Sequence, residues 1–336
     1  MGTRTQQSLG VIVSMQRDFS DDNSTNADSL VGEHRLAGRT VVITGASDGI
    51  GKVAAHRLAA MGAHVVIVGR DKLKTAKVAR DIEVAGVSGS VSWDVADLSV
   101  QQNVRELAER LLERRPRIDV LINNAGAIFS ERQLTSDGFE RTFALNHLAY
   151  FTLTVLLLPH LQAAASTGNP ARIINVASRA HQGAQLDLND LQSKRSFRAW
   201  RTYNNTKLEN ILFTRALSQR LAPERVVVHS LHPGLVASQF AVSNNGWWGR
   251  FMRVAMNLRS ISPERGSDTI IHLATSKEAS LSSGLYWNQC KAVPPSLAAQ
   301  NDDDAERLWF ESARLTGLDA DQLVRAARNG LGQVGQ

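Results

Sequence analysis

The stretch Thr40-Val-Val-Ile-Thr-Gly-Ala-Ser-Asp-Gly-Ile-Gly51 decides the fold of this chain. Its first five residues predict a buried strand, because consecutive branched apolar side chains suit a sheet that is covered on both faces. A helix is predicted over residues 49–61. The glycines between the two permit positive φ and close approach of the backbone, and the start of the helix offers free N–H groups to a phosphate. The stretch therefore predicts a diphosphate-binding loop, with a tight turn without a ligand as the alternative; its expected contacts are Gly45, Ser47, Asp48, Gly49, Ile50 and Gly51.

The alternation of short apolar strands with helices continues along the chain. Strands that alternate with helices favour a parallel sheet with helices on both faces. We predict an α/β fold, a single Rossmann-type, doubly wound parallel sheet of about seven strands. Its further strands are expected at 64–68, 90–94, 118–122, 171–176, 226–231 and 284–287, and its further helices at 72–84, 99–115, 138–163 and 200–221.

Three segments flank or interrupt this pattern. Residues 1–37, rich in Asp, Asn and Ser near their end, predict a flexible N-terminal extension. The folded domain is predicted to span residues 38–316, with a lid inserted at about 237–262. Residues 317–336 are predicted to form a polar tail.

The composition argues against several classes of protein. The formal charge is +6, but the basic residues are spread along the chain, so we expect no nucleic-acid partner. The single cysteine, Cys290, excludes an internal disulfide framework, and no cluster of ligand side chains has metal-binding spacing, so we expect no metal. No apolar stretch is long enough to predict a membrane span.

The end of the second strand predicts whether the adenosine ribose of a bound dinucleotide carries a 2′-hydroxyl or a 2′-phosphate. The run Val68-Gly69-Arg70-Asp71 lies about twenty residues beyond the glycines, where dinucleotide folds read that ribose. Asp71 would read a 2′-hydroxyl, whereas Arg70 would hold a 2′-phosphate. Because Gly69 offers no carboxylate, we favour NADP(H); the alternative is that Arg70 and Asp71 only begin a helix, with Asp71 as its cap.

Tyr203 and Lys207 lie four residues apart in a predicted helix, so their side chains share one face. An ammonium beside a phenol stabilises the phenolate and is expected to lower the tyrosine pKa. The pair therefore predicts an acid/base, although a surface pair has the same spacing.

Three motifs in order resemble the short-chain dehydrogenase/reductase family: the glycine loop, the run Asn123-Asn-Ala-Gly126, and the Tyr203–Lys207 pair. The resemblance covers roughly residues 38–315. The runs at 145–148, 175–181, 207–214 and 230–234 are similar to the retinol-dehydrogenase-like branch. The chain departs from the family pattern at Thr206, where many members have serine. It also shows no hydrophobic N-terminal anchor, so we expect a soluble, cytoplasmic relative.

The resemblance implies a catalytic set of Asn146, Ser178, Tyr203 and Lys207. In the family the serine polarises a carbonyl and the tyrosine transfers the proton. The lysine binds the nicotinamide ribose and lowers the tyrosine pKa, and the asparagine holds a water that links the lysine to solvent. The further implied cofactor contacts are Asp94, Asn124, Ala125, Gly126, Pro233, Gly234 and Val236.

Together these features predict an NADP(H)-dependent oxidoreductase that reduces a ketone or aldehyde of a bulky hydrophobic, polycyclic or retinoid-like substrate, or oxidises the alcohol. A ketoreductase of secondary metabolism would fit. Aromatic residues at 240, 247, 248 and 251 suit a substrate wall, a lid packed on the domain, or a homodimer contact equally well. One alternative is a non-catalytic NADP(H)-binding sensor or interaction protein on the same fold. Another is a nucleotide-sugar epimerase or dehydratase, whose usual Gly-x-x-Gly-x-x-Gly spacing this chain lacks.

Overall fold

The computed structural model describes residues 36–166, 168–234 and 262–329. Nearly all of the predicted N-terminal extension at 1–37 and of the predicted lid at 237–262 lies outside the described residues, as does Val236. The described residues belong to one compact unit, in agreement with the single Rossmann-type domain predicted from the sequence.

The strands form one sheet in the order β3-β2-β1-β4-β5-β6-β7-β8. All neighbouring pairs from β3 to β7 are parallel. Because the strand order reverses between β1 and β4, a crevice opens there at the carboxyl ends of the strands, the usual ligand position in doubly wound sheets. The strands are β1 Thr40–Thr44, β2 His64–Gly69, β3 Ser90–Val95, β4 Val120–Asn123, β5 Ala171–Val176, β6 Val226–His232, β7 Tyr286–Asn288 and β8 Lys291–Ala292.

The predicted count of about seven strands is one too low for the described ranges. The additional strand, β8, pairs antiparallel with β7. The turn between them holds Gln289 and Cys290 at φ of 49° and 60°, as a type I′ hairpin turn requires. Both residues of β8 are exposed. The sequence therefore has no alternation of apolar and polar side chains from which this strand could be predicted.

Helices cover both faces of the sheet. Period-two alternation along β1 directs Val41 and Ile43 into one core and Val42 into the other. Residues of α1, α2 and α6 pack in the first core, and residues of α3, α4, α5, α7 and α8 pack in the second. The helices are α1 Gly49–Ala60, α2 Lys72–Val84, α3 Gln101–Arg114, α4 Arg141–Ala164, α5 Ala199–Arg220, α6 Pro263–Thr275, α7 Asp302–Thr316 and α8 Ala320–Asn329.

Helix α4 is the one helix in the described part of the chain whose length and apolar composition would allow it to cross a membrane. Most of it is buried, and it packs against α3 and α8. Its apolar character is therefore explained by its place in the core of the domain.

The predicted polar tail at 317–336 is wrong over much of its length. Gly317 ends α7 in the left-handed conformation at φ 65°, and α8 follows directly. Ala320, Val324 and Ala327 of α8 are buried in the core that contains α4. These three apolar residues recur every three or four positions and face the domain, with charged residues between them, which is the pattern of an amphipathic helix that the sequence prediction overlooked. Residues 330–336 lie beyond the described ranges.

Candidate active site

The glycine loop connects β1 to α1 at the crevice. Gly45 has φ of 67° and packs so closely that an added Cβ would lie 2.7 Å from Ala125 Cα. Gly49, at φ 55°, begins α1, and the exposed Asp48 caps it by accepting a hydrogen bond from Gly49 N at 2.7 Å. Ser47 and Ile50 are partly exposed on the same loop. The loop thus has the tight geometry that the sequence predicted, with the start of α1 at the crevice.

Asn124 fixes the shape of this loop from the neighbouring strand β4. Its Nδ2 donates to Thr44 O at 2.8 Å and to Gly45 O at 3.2 Å. Thr44 Oγ1 accepts in turn from Asn124 N and Ala125 N. The side chain of Asn124 is therefore used to hold the glycine loop, while Ala125 and the neighbouring Gly126 lie partly exposed beside it.

The end of β2 places Arg70 in an exposed position. Arg70 makes no hydrogen bond or ion pair with any residue that the structure describes. Asp71 caps α2, because its carboxylate accepts from Lys74 N at 3.0 Å. The cap predicted as the alternative role of Asp71 is therefore present, and it uses one of the two carboxylate oxygens. A Cβ at Gly69 would lie 2.1 Å from Thr75 Oγ1, so no larger side chain fits there without movement.

Asp94 lies near the end of β3, but its side chain is turned toward α3. Its carboxylate accepts from Arg110 Nε at 3.0 Å and lies 3.7 Å from Arg114 Nη1. Both contacts are made by Oδ1, so the predicted contact with adenine would use Oδ2 or the main chain of Asp94.

Asn146 lies in a π-helical segment, Ala144–Leu148, within α4. Its side chain is fully buried. Oδ1 accepts from Ala127 N at 2.9 Å, and Nδ2 donates to Ala127 O at 2.9 Å and to Thr206 Oγ1 at 3.1 Å. Asn146 is therefore not an exposed helix residue. Single π-turns inside α-helices occur often at functional sites.

Ser178 and Tyr203 lie together at the carboxyl end of β5. Ser178 lies two residues beyond the end of β5, and its Oγ accepts from Ala180 N at 3.1 Å at the start of a 3₁₀ turn. The side chain of Ser178 is also hydrogen-bonded to Tyr203. The two predicted catalytic hydroxyl groups are therefore in contact, beside the switch point of the sheet.

Lys207 extends from α5 toward the same edge. Its ammonium donates to Val176 O at 2.9 Å and lies 5.6 Å from the centre of the Tyr203 ring. The residue is only 2% exposed. An ammonium carries three N–H donors, and Val176 O is the one acceptor that the described residues provide. The remaining donors fit the hydroxyl groups of a bound ribose, so the site suits a nicotinamide nucleotide.

Burial controls the pKa values of this pair. It lowers the pKa of Lys207 to about 7, because a buried ammonium loses hydration. It raises the pKa of Tyr203 above its usual value, and the hydrogen bond to Ser178 only partly offsets that effect. The sequence predicted that the lysine would lower the tyrosine pKa; in the protein by itself, desolvation of the phenolate is the larger effect.

The segment after β6 completes the described edge. Gly234, at φ 90°, donates its N–H to His232 Nδ1 at 3.1 Å and so forms a turn around Pro233. Pro233 and Gly234 are partly exposed at the crevice end of the strand. The predicted contact at Val236 lies outside the described residues.

Three side chains near the site were missed in the sequence. Trp200 is 49% exposed and meets the Tyr203 ring edge-on, with 6.0 Å between ring centres. Tyr150 is buried, its ring lies 5.8 Å from Lys207 Nζ, and its hydroxyl has no partner among the described residues. His181 contacts Ser178 O. Trp200 lies one helical turn before Tyr203 and Tyr150 one turn after Asn146, and this spacing could have identified both.

The described residues contain no group of three or more His, Cys, Asp or Glu side chains arranged to hold a metal. The absence of a metal stays a prediction. The chemistry available at this edge is that of hydroxyl groups, one ammonium and a loop suited to a diphosphate.

Comparison with known proteins agrees with this geometry. The family model described as short chain dehydrogenase matches residues 39–247. The chain is 37% identical to human retinol dehydrogenase 13 over 290 residues, which cover 85% of this chain and 86% of that protein. It is 38% identical to human retinol dehydrogenase 12 over 287 residues, which cover 84% and 88%.

Two solved structures share the fold and were obtained with different nucleotides. The NADP complex of RhlG from Pseudomonas aeruginosa is 30% identical, with a TM-score of 0.61 over 75% of this chain and 94% of that one. The 3-ketoacyl-(acyl-carrier-protein) reductase from Brucella melitensis, complexed with NADH, is 28% identical, with a TM-score of 0.57 over 75% and 96%. These similarities support a nicotinamide cofactor and an oxidoreductase. The chain belongs to the short-chain dehydrogenase family and is similar to its retinol dehydrogenases.

Proposed function

We propose that this protein is an NADPH-dependent reductase of bulky hydrophobic ketones or aldehydes. The observation that carries the proposal is the convergence of Ser178, Tyr203 and Lys207 at the carboxyl end of β5. Two hydroxyl groups in contact can both reach one carbonyl oxygen, and the buried ammonium stands beside them.

Each residue has a distinct role in this proposal. Bound NADPH supplies the hydride that reaches the carbonyl carbon. Ser178 donates a hydrogen bond to the carbonyl oxygen, whose negative charge grows during the reaction. Tyr203 gives its phenolic proton to that oxygen. Lys207 binds the ribose and stabilises the tyrosinate that forms. Asn146 joins α4 to Ala127 and to Thr206 of α5 beside this group.

The protonated state of Tyr203 at neutral pH is the one that reduction needs. Burial raises its pKa, so the phenol carries its proton at neutral pH. A protonated phenol is the form that can donate to an alkoxide, whereas oxidation of an alcohol needs the tyrosinate as the base. The same enzyme would run the oxidation more readily at alkaline pH.

Arg70 supports the choice of NADP(H) over NAD(H). It is exposed at the end of β2, and its guanidinium is not engaged by any described residue. A guanidinium suits bidentate binding of a phosphate. The carboxylate of Asp71, which would favour NAD(H), caps α2.

Trp200 supports an apolar substrate. Its indole lies beside the Tyr203 ring, and nearly half of its surface is open. A large, flat apolar surface beside the acid/base suits conjugated or polycyclic carbonyl compounds. The names of the retinol dehydrogenases to which the chain is similar agree with this substrate class.

A non-catalytic NADP(H)-binding sensor is the alternative. It would not need a protonated tyrosine in contact with a serine, and the chain retains Ser178, Tyr203, Lys207 and Asn146 together. The complete set favours the enzyme.

The test is an NADPH-oxidation screen across retinoid, steroid and polycyclic aromatic carbonyl compounds, with NADH as the control. Tyr203→Phe should bind NADPH with unchanged affinity and lose nearly all turnover. Turnover in this variant equal to that of the wild type would contradict the role of Tyr203. Turnover by the wild type of none of these compounds, despite NADPH binding, would favour the sensor.

Two wider expectations are also part of the proposal. One is a cytoplasmic location, which cell fractionation tests. The other is a homodimer, which light scattering after gel filtration tests. Helices α7 and α8 cover part of α4 and α5 within the same chain, so that part is not available to a partner.

A further inference from the structure

His181 joins Ser178 to a distant loop. Its Nδ1 lies 2.7 Å from Ser178 O, and its Nε2 lies 3.1 Å from the main-chain nitrogen of Ser296. The imidazole is 1% exposed and meets the Tyr286 ring with 5.0 Å between ring centres. The buried side chain of His181 thus connects Ser178 with a loop that lies 115 residues beyond His181 in the chain.

The two contacts determine the protonation of the ring. The main-chain N–H of Ser296 is a donor, so Nε2 must accept and carries no hydrogen. Ser178 O is an acceptor, so Nδ1 must donate and carries the hydrogen. His181 is therefore a neutral imidazole with its proton on Nδ1, and burial, which lowers its pKa, keeps it neutral.

The contact with Ser178 fixes the main chain of that residue. Ser178 O accepts from both His181 N, at 3.1 Å, and His181 Nδ1. Ser178 Oγ accepts from Ala180 N on the other side of the same turn. Ser178 is therefore hydrogen-bonded within this turn at both its carbonyl and its hydroxyl oxygen, and its side chain is also hydrogen-bonded to Tyr203.

We propose that His181 is a positioning residue for Ser178, and that the bond from Nδ1 to Ser178 O, rather than the bond to Ser296, carries this role. The inference rests on the proposed function, because the position of Ser178 affects turnover only if Ser178 takes part in the reaction. His181 itself does not contact the reacting atoms in this proposal.

Two amide substitutions separate the two bonds. In His181→Asn the amide nitrogen takes the place of Nδ1 and keeps the bond to Ser178 O, but the contact with Ser296 is lost. In His181→Gln the longer side chain reaches the position of Nε2 and keeps an acceptor for Ser296 N, but the bond to Ser178 is lost. His160→Gln is the control, because that partly buried histidine bonds Leu112 O, away from the crevice.

The first measurement is kcat, together with NADPH affinity. His181→Gln should lower kcat roughly ten-fold or more with unchanged affinity, because small misplacements of a catalytic group are costly. His181→Asn should stay within about three-fold of the wild type, a change of less than 1 kcal/mol. Equal losses in both variants, no loss in either, or a loss in His181→Asn alone would overturn the proposal.

The second measurement does not depend on turnover. Hydrogen–deuterium exchange in residues 177–183 should rise in His181→Gln and stay near the wild-type rate in His181→Asn. Equal exchange in the two variants would overturn the proposal. If the wild type reduces no carbonyl compound, the proposed function fails, while the exchange measurement still decides whether His181 holds Ser178.

Discussion

Asn146 Nδ2 donates a hydrogen bond to Thr206 Oγ1 at 3.1 Å, and Thr206 Oγ1 donates to Tyr203 O at 2.8 Å. The residue at which the chain departs from the common family pattern therefore links α4 to the main chain of the proposed acid/base. A serine would supply the same hydroxyl, which explains why the departure is compatible with the site.

Thr206→Val should lower the free energy of unfolding by about 1–3 kcal/mol, because one N–H of the buried Asn146 amide loses its acceptor. Thr206→Ser should stay near the wild type in stability and in kcat. Urea denaturation measures the first quantity and a steady-state assay the second. A valine variant as stable as the wild type would show that the bond to Asn146 contributes little.

Arg70→Gln should raise the KM for NADPH roughly ten-fold to one-hundred-fold, since a hydrogen bond to a charged group contributes about 1.5–3 kcal/mol. The KM for NADH should hardly change. Arg80→Gln removes another exposed arginine, on α2, and serves as the control. Equal changes in KM for the two nucleotides, or faster turnover of the wild type with NADH, would contradict the preference for NADP(H).

Trp200→Ala should raise the KM for polycyclic or polyene carbonyl compounds roughly ten-fold, because an aromatic contact of about 1–1.5 kcal/mol is lost. Small aliphatic aldehydes should show no such change. Trp93→Ala is the matched control, since Trp93 is also partly exposed but lies on β3. If KM for large and small substrates changes equally, Trp200 does not select the substrate.

His229 should make the fold sensitive to acid. Burial lowers its pKa to about 4, helped by the charge of Arg172. Trp287 Nε1 donates to Nδ1 at 3.2 Å, and Nε2 bonds Ala279 O at 2.8 Å. In the unfolded chain the imidazole takes up a proton near pH 6.5, whereas in the folded chain it does so only near pH 4, so stability falls as the pH falls between these values.

The loss through His229 should be about 3 kcal/mol across that interval. His229→Gln removes the titration, and the free energy of unfolding should then fall less steeply between pH 6.5 and 4. Urea denaturation at several pH values measures this slope. The buried His147, whose pKa is lowered to about 3, should keep part of the slope in the variant. An unchanged slope would mean that His229 does not titrate in this interval.

Much of this molecule could be predicted from local pattern. The strands β1 to β7 and the helices α1 to α5 follow apolar periodicity, and the glycine loop follows from the strand and helix on either side of it. The helices α6, α7 and α8 also carry buried apolar residues at helical spacing, but they were not among the predicted elements. The strand β8 has two exposed residues and no apolar pattern, so its pairing with β7, rather than the segment itself, determines its structure.

The site likewise has features that the sequence predicted and features that depend on the fold. The sequence predicted that Tyr203 and Lys207 share a helix face and that Ser178 lies after β5, because helix and strand geometry fix these positions locally. The contacts of Asn146 with Ala127 and Thr206, the turn of Asp94 toward Arg110, and the bridge from His181 to Ser296 join residues far apart in sequence. Burial, which raises the pKa of Tyr203 against the effect expected of the lysine, is likewise a property of the packed core.

The sequence by itself determined the order of elements, the glycine loop and the identity of the hydroxyl and ammonium groups, because these depend on backbone periodicity and side-chain chemistry. Only the tertiary structure decided which of those groups touch and how strongly each is desolvated. Hydrogen bonds and solvation depend on distances across the fold, and no local pattern in the chain specifies them.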